Sequence, residues 1–415
     1  MFDEIGFNAI PDPLFRHLVM MRLLYPVSKL KTIEYLRRCY QINYDIDAVY
    51  RYMDKLNQEH HQQLQQISFN HTVKLLGGDL SVVFYDVTTL YFEVEQEDDL
   101  RKIGFSKDGK AQNPQIVLGL LVSAGGYPLA YEMFEGNKFE GHTMLPVIEA
   151  FKNKYAVSKL VIVADAGLLS NDNIEQLTDK GYEFILGARI KNETRVIKKQ
   201  ILSLKLKDGQ SQVLEKSNAI KLIVSYATSR AAKDEYNRKR GLQKLENNLK
   251  AGKLNKRHIN NRGYNKYLKL EGHLSVSIDY DKYKQDAVWD GLKAYITNTQ
   301  LSKEIIIENY KHLWQIEKAF RISKNDLKLR PIYHRLYKRI KAHLNIAFCS
   351  YKLYKELERQ LKEKQLAVSP EKALEIMKSI YSVNTILPTS KKEVSIIIVK
   401  DEQQQKLLQA FNINY

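Results

Sequence analysis

Three carboxylates stand out in a sequence dominated by cations. Asp86 lies at the end of an apolar run in SVVFYDVTTLYFE, Asp165 at the end of another in KLVIVADAGLLS. Glu317 sits in YKHLWQIEKAFRISKNDLKLRPIYH, from Tyr310 to His334. In that last stretch Tyr310, Trp314, Glu317, Arg321 and Lys324 recur at three- and four-residue steps, which predicts one face of a long helix. An acid on a face of cations and aromatics is costly without a partner or a task. Magnesium prefers oxygen ligands. Two divalent ions about 4 Å apart can activate a nucleophile and steady a leaving oxyanion. If Asp86 and Asp165 lie at the C-terminal ends of neighbouring parallel strands, and Glu317 on a helix packed across the sheet, the three converge. Like charges so placed repel, and a bound ion makes the cluster tolerable. The chemistry indicated is metal-dependent phosphoryl transfer on nucleic acid. Each residue also has an ordinary structural account. Asp86 can bond the backbone at Thr88, Asp165 can cap the turn at AGLLS, and Glu317 can pair with Arg321 four residues on.

The balance of charge supports a polyanionic partner. The 415 residues carry a formal charge of +17 with 44% hydrophobic content, enough for a substantial core and two or three structural units. An anionic membrane surface is the competing partner, but no apolar run approaches the roughly 20 residues of a membrane span. The N-terminus lacks the basic start and apolar stretch of a signal peptide. Cys39 and Cys349 make no metal-ligand pattern and fit a reducing cytosol.

The elements that must position these residues follow from periodicity and punctuation. Residues 1–78 read as helical. Pro13 opens one helix, Ser28 caps KLKTIEYLRRCY, and Asp45 or Asp47 caps AVYRYMDKLNQEHHQQLQQI. Their outline resembles a helix-turn-helix, as does that of any small helical bundle. From residue 79 to 190 the order is three strands, helix, strand, helix, strand, with a hairpin at Gly125-Gly126, which suits a mixed α/β sheet covered by helices. Residues 191–290 form a basic, β-rich interruption in which QVLEK, IKLIVSYA and HLSVSIDY flank the cationic stretch Ser229 to Lys269. That stretch includes Arg238, Lys239 and Arg240. No fixed scaffold is legible in it, so it is expected to follow DNA backbone rather than read bases, unless it is simply a solvated charged helical excursion. Residues 291–364 return to a strand, GLKAYITNT, then the Glu317 helix, ended or bent by Pro331, then an amphipathic basic helix. Residues 365–415 add a helix, EKALEIMKSIYSV, and a strand, EVSIIIVK. Trp289 and Trp314 could stack on an unpaired base, though core packing is the expected role of both, Trp314 especially.

Taken in order, FYDVTTLYFE, GFSKDGKAQNPQIVLGLLVS, GYPLAYEMFEGNKFEGHT, VIVADAGLLS and YKHLWQIEKAFRISKNDLKLRPIYH resemble bacterial insertion-sequence transposases of the DDE type, insertion-sequence-4-like. The resemblance runs from about Ile5 to Lys364. It implies an RNase H-like mixed sheet with flanking helices, interrupted by a β-rich insertion before the glutamate helix, between helical N- and C-terminal regions. It makes Asp86, Asp165 and Glu317 the catalytic and metal-binding residues, with Mg²⁺ as cofactor and Mn²⁺ as substitute. The family's signature, Y-x-x-R-x-x-x-E-x-x-x-x-x-x-K, is matched by Tyr310, Glu317 and Lys324, while Leu313 replaces its arginine. Arg321 is the candidate to replace that lost phosphate contact. Tyr310, Arg321 and Lys324 are therefore expected DNA contacts, with Lys107 and Lys110 of GFSKDGK near the active site or in a plain β-turn.

The implied partners are double-stranded DNA, as the element's terminal inverted repeats and as target, and a second copy in a homodimeric synaptic complex. The implied setting is the bacterial cytoplasm, at the nucleoid. The relatives begin upstream of Met1, so a DNA-reading N-terminal segment is expected to be missing. Two further readings stay open. One is a catalytically impaired remnant that binds element ends as a repressor. The other is a cellular RNase H-like nuclease or resolvase. His142, in EGHT, is expected near the carboxylates or, with Thr143, in a hydrogen bond at a helix start.

Overall fold

The computed structural model describes residues 1–413 except 158, 218 and 272–274, so the first residues of the expected strand HLSVSIDY lie outside the described residues. The chain divides into two compact units, one formed by Met1–Leu160 with His312–Tyr415, the other by Val161–Lys311.

The first unit opens with helices whose starts are written in the sequence. Asp12 Oδ1 accepts from Leu14 N at 2.8 Å at the head of Pro13–Leu24, and Ser28 Oγ accepts from Lys31 N at 3.3 Å at the head of Lys29–Tyr40. The stretch expected as one helix after Asp45 is two, Ile46–Lys55 and His61–Leu75. A π-helical turn, Leu56–His60, joins them and keeps Leu56 fully buried. Three antiparallel strands follow: β1 (Val82–Tyr91), β2 (Gln115–Ser123) and β3 (Pro128–Glu135), in the order β3-β2-β1. As the central strand, β2 is buried along its whole length. Gly119 is required there, because a Cβ would stand 2.5 Å from the hydroxyl of Tyr85 on β1. The hairpin at Gly125-Gly126 and the helix Met144–Tyr155 are as expected.

The second unit alternates strand and helix at first. β4 (Val161–Ala164) and β5 (Glu183–Gly187) are parallel and joined through the helix Asn171–Asp179, which Ser170 caps. An unforeseen helix, Arg195–Ser203, precedes β6 (Ser211–Ser217) and β7 (Ile220–Tyr226). The cationic stretch has a fixed scaffold after all: Thr228–Lys250 is a single helix. Its Leu245 packs with Tyr267, with Leu268 of β8 (Leu268–Glu271) and with Ile278 of β9 (Ser275–Ile278). With β10 (Leu292–Thr297), the strand order is β4-β5-β10-β7-β6, antiparallel except at β4–β5.

The C-terminal part of the first unit is dominated by the helix Tyr337–Glu363. It was expected to be amphipathic, yet it is buried almost all round from Ile340 to Leu361. The helices Pro13–Leu24, Ile46–Lys55 and His61–Leu75 and strand β3 pack on it. EKALEIMKSIYSV is helical only over Pro370–Lys378. The β-branched residues beyond pair as β11 (Tyr381–Ile386) with β12 (Glu393–Ile398), before a last helix, Glu402–Ala410. The whole is a mixed α/β structure with flanking helices, as the sequence predicts. No described helix is long and apolar enough to cross a membrane.

Lys352 is 0% exposed on the Tyr337–Glu363 helix. Its ammonium donates to Ser68 O and Thr72 Oγ1 and lies 4.7 Å from the Tyr127 ring centroid, with Glu356 one turn on. Burial pulls its pKa down to about 7, whereas an unfolded lysine keeps its proton to about pH 10.4. Between those limits the unfolded chain binds more protons, so this residue makes stability rise with pH. Urea unfolding from neutral pH to about pH 10 should show a smaller rise in Lys352→Met than in wild type, the gap growing toward about 1.4 kcal/mol for each unit separating the two pKa values.

Candidate active site

Asp86 is not at a strand end. It is an interior residue of β1, opposite Leu120 of β2, because the β-branched and aromatic residues VTTLY extend the pairing to Tyr91 and Gln115. Its side chain is 20% exposed, and Oδ1 accepts from the next amide, Val87 N, at 2.7 Å. Lys107 is drawn beside it: the ammonium lies 3.8 Å from Asp86 Oδ1 and 3.1 Å from Glu140 Oε1, and donates to Val87 O at 2.7 Å. The Lys107 amide donates to Thr89 Oγ1 at 3.0 Å, so the GFSKDGK loop is fixed to β1 at two points. Lys110 lies 5.5 Å from the Tyr91 ring centroid.

The same loop is anchored by a residue that sequence reading passed over. Asp108 pairs with Lys324 at 3.3 Å and Arg330 at 2.6 Å, and its side chain is 12% exposed. The available signal was an acid between the two lysines of KDGK. Lys324 is 9% exposed and sits in a π-helical turn, Ile322–Asp326, facing Asp108 rather than solvent. Burial lowers the pKa of its ammonium and the Asp108 carboxylate opposes that shift. Thr143 Oγ1 donates to Glu140 O at 2.6 Å, the helix-start bond foreseen for this segment.

The long helix expected around Glu317 is broken. Lys303–Lys311 ends, His312 and Leu313 make a tight turn, and Trp314–Arg321 begins afresh. The second helix packs through Ile316, Ala319 and Phe320 and lies against β1 and β2. Glu317 and Arg321 are exposed on it, and among the described residues no ion pair joins them. Trp314 is 50% exposed rather than core.

Tyr310, left on the earlier helix, belongs to the second unit and is 6% exposed. Its hydroxyl donates to Asp165 Oδ1 at 3.2 Å, and its ring carries the Lys293 ammonium 4.5 Å from the centroid. Asp165 directly follows β4, as expected, is exposed, and caps the turn after it by accepting from Ala166 N at 2.6 Å. Gly187 makes the tyrosine contact possible, because a Cβ there would stand 2.4 Å from Tyr310 Oη. On Thr228–Lys250, Arg238 is 11% exposed, paired with Asp290 and 4.9 Å from the Tyr283 centroid. Lys239 pairs with Glu235 at 2.6 Å, while Arg240 is exposed. Half-buried Trp289 lines a cavity of about 630 Å³ in this unit with Arg189, Arg230, Lys266 and Lys293.

Asp86, Asp165 and Glu317 all present carboxylate oxygens with some exposure, the donor chemistry a hard divalent cation takes. Among the described residues no group of three or more His, Cys, Asp or Glu side chains is gathered as an ion-holding cluster.

A sequence family described as Transposase DDE domain matches residues 77–353 of the 415, and the chain belongs to it. That family is one of transposases, enzymes of the nuclease and transferase kind, which in general use divalent metal ions. Among solved structures, piggyBac transposase in a synaptic complex with hairpin DNA is similar over 87% of this chain and 68% of its own, at 9% identity and a TM-score of 0.43. No curated protein matches the sequence.

Removing one member of a buried ion pair leaves the other charge uncompensated. Asp108→Asn should therefore cost roughly 3 kcal/mol in chemical unfolding and expose the loop to tryptic cleavage at Lys107 and Lys110. Unchanged stability together with an unchanged digest would show that Asp108 does not anchor the loop.

Proposed function

We propose that the chain is a DNA transposase that cuts at the ends of a mobile element and joins the freed 3′-hydroxyl to target DNA. The observation that carries this is the family match over residues 77–353, which contains Asp86, Asp165 and Glu317. The insertion-sequence-4-like motifs and an RNase H-like core are part of the same reading. Asp86, Asp165 and Glu317 would hold Mg²⁺, or Mn²⁺ in its place, and a bound ion would supply Lewis acidity at the reacting phosphate.

The protein's own groups have distinct tasks. Tyr310 holds Asp165 in orientation through its hydroxyl. Lys107 offsets the charge of Asp86 and Glu140 and is placed to meet a phosphate. Exposed Arg321, Lys110, Lys239 and Arg240 supply contacts to DNA backbone, sequence-independent and sensitive to salt. Lys324 and Arg238 act through the carboxylates they pair with. In cleavage, water oxygen bonds to phosphorus as the bond to the 3′-oxygen breaks. In joining, the 3′-oxygen attacks a target phosphate and displaces its 3′-oxygen. Neither step forms a protein–DNA bond. The working unit is a homodimer on paired element ends in the bacterial nucleoid. A binding-only protein that occupies element ends is the second reading, favoured by Leu313, which is buried where the signature has an arginine.

The test is cleavage and joining on a labelled duplex bearing the element's own end, with Mg²⁺ or Mn²⁺. Wild type should cut and join, while Glu317→Gln, Asp86→Asn and Asp165→Asn lose at least about a hundredfold in rate and still bind. Salt-sensitive binding without cutting in any of the four proteins would replace this reading with the binding-only one.

A further inference from the structure

The first unit contains a second concentration of positive charge, away from the three carboxylates in sequence and gathered round a cavity, with Arg22, Lys29 and His343 buried, Arg330 and His334 half-buried and Lys328 exposed. A cavity of about 260 Å³ is lined by Arg22, Lys29, Lys328, Arg330, His334 and His343, and among the described residues no aspartate or glutamate joins its wall. Arg22 is 6% exposed and Lys29 5%. The Arg22 guanidinium has only long contacts: Nη1 to the carbonyls of Leu327 at 3.4 Å and Lys328 at 3.5 Å, and Nη2 to His343 Nδ1 at 3.5 Å. His343 Nε2 lies 3.1 Å from Leu329 O, so the neutral ring donates there and turns Nδ1 to the guanidinium as an acceptor. Neither contact brings negative charge. Arg330 has Asp108, but that carboxylate is shared with Lys324.

Lys29 is the residue that decides the matter. Among the described residues no hydrogen bond or ion pair reaches its ammonium, although the residue is almost wholly buried and lines the cavity. It is also the first residue of the helix Lys29–Tyr40, whose first amides point N-terminally without intrahelical acceptors; Ser28 Oγ occupies only that of Lys31. Burial depresses the pKa of Arg22 to about 10 and that of Lys29 well below the ordinary lysine value, with the Arg22 charge adding to the Lys29 shift. His334 falls to about 4 through burial and the same two cations. Buried charges are ordinarily paired. Here no complement stands among the described residues.

We infer that this cavity is an oxyanion site that takes a phosphate group, held by Lys29, Arg22 and the start of the Lys29–Tyr40 helix. A tetrahedral dianion answers two buried cations and the free amides at once. The volume admits a phosphate with a little water but falls short of the roughly 300–1,000 Å³ typical of sites enclosing a whole small molecule. The phosphate is therefore a group that enters from outside, either on a DNA strand or as free inorganic phosphate. The site stands whether or not the three carboxylates catalyse transposition.

The experiment compares wild type, Lys29→Met and Glu317→Gln by calorimetric titration and thermal unfolding, with inorganic phosphate against chloride at equal ionic strength. Phosphate should bind and raise the Tm of wild type and Glu317→Gln alike. Affinity should fall at least roughly tenfold in Lys29→Met, since charge-assisted hydrogen bonds are lost. In chloride, Lys29→Met should be at least as stable as wild type, because an uncompensated buried cation has been removed. Short oligonucleotides then separate the sources. Displacement of phosphate by a 5′-phosphorylated strand only identifies a strand end, displacement by the 5′-hydroxyl strand as well identifies backbone diester, and displacement by neither identifies free phosphate. No phosphate response in wild type, or an equal response in Lys29→Met, overturns the inference. Should Lys29→Met not fold, broadening of the phosphorus NMR line of phosphate by wild type, relieved in Lys29→Gln, replaces that comparison, and an unbroadened line overturns it.

Discussion

The helix Tyr337–Glu363 is buried nearly all round, and what allows this is that most of its polar side chains find partners inside. Asn345 Oδ1 accepts from Tyr131 at 2.7 Å, Ser350 donates to Val19 O at 2.9 Å, and Lys352 donates to Ser68 O at 3.0 Å. Each bond reaches a different element, namely β3, the helix Pro13–Leu24 and the helix His61–Leu75. The polar satisfaction of one helix thus fixes the positions of three neighbours. Arg359 and Gln360 close the far end on Glu356, which is 1% exposed. The strand that carries Asp86, and with it the Lys107 loop fixed to that strand, is ordered by the same packing, since β3 lies against this helix, β2 against β3 and β1 against β2.

How far the sequence reveals the site depends on whether the deciding force is local. Pro13 marks a helix start by its fixed backbone angle, and Ser28 and Ser170 do so by bonds to amides three positions on, and they are where the sequence puts them. Asp165 is legible for the same reason: the apolar run VIVA ends and a turn begins. The break after Lys311 is not legible. Ile306, Tyr310, Leu313, Ile316 and Phe320 keep a helical spacing across it, and neither glycine nor proline interrupts them. Only the separate commitments of Tyr310 to Asp165 and of Ile316 and Phe320 to their own core divide the helix. Asp86 was misplaced toward a strand end because a charged residue reads as a boundary, whereas β1 runs through it on pairing with β2.

Charge is where composition misleads most. A cationic stretch invites every lysine and arginine in it to be counted as a DNA contact. Arg238 and Arg240 stand two positions apart, hence roughly 200° apart around a helix, and one is locked to Asp290 while the other faces water. Lys324 is likewise held inside by Asp108. The formal +17 is a sum over cations with different work, and burial rather than sequence order sorts them.

The two units differ in how they are drawn from the chain. Val161–Lys311 is continuous, while the first unit is assembled from Met1–Leu160 and His312–Tyr415. During synthesis the continuous unit can complete its core as soon as β10 and the helix Lys303–Lys311 have left the ribosome. The first unit cannot. Its amino-terminal helices and its fully buried strand β2 must wait for Tyr337–Glu363, which emerges more than two hundred residues later, on the order of ten seconds or more at ordinary elongation rates. For that interval the nascent chain leaves bare the surfaces of Pro13–Leu24 and β3 that this helix will cover, transiently exposed apolar surface of the kind that makes unfinished chains prone to aggregate.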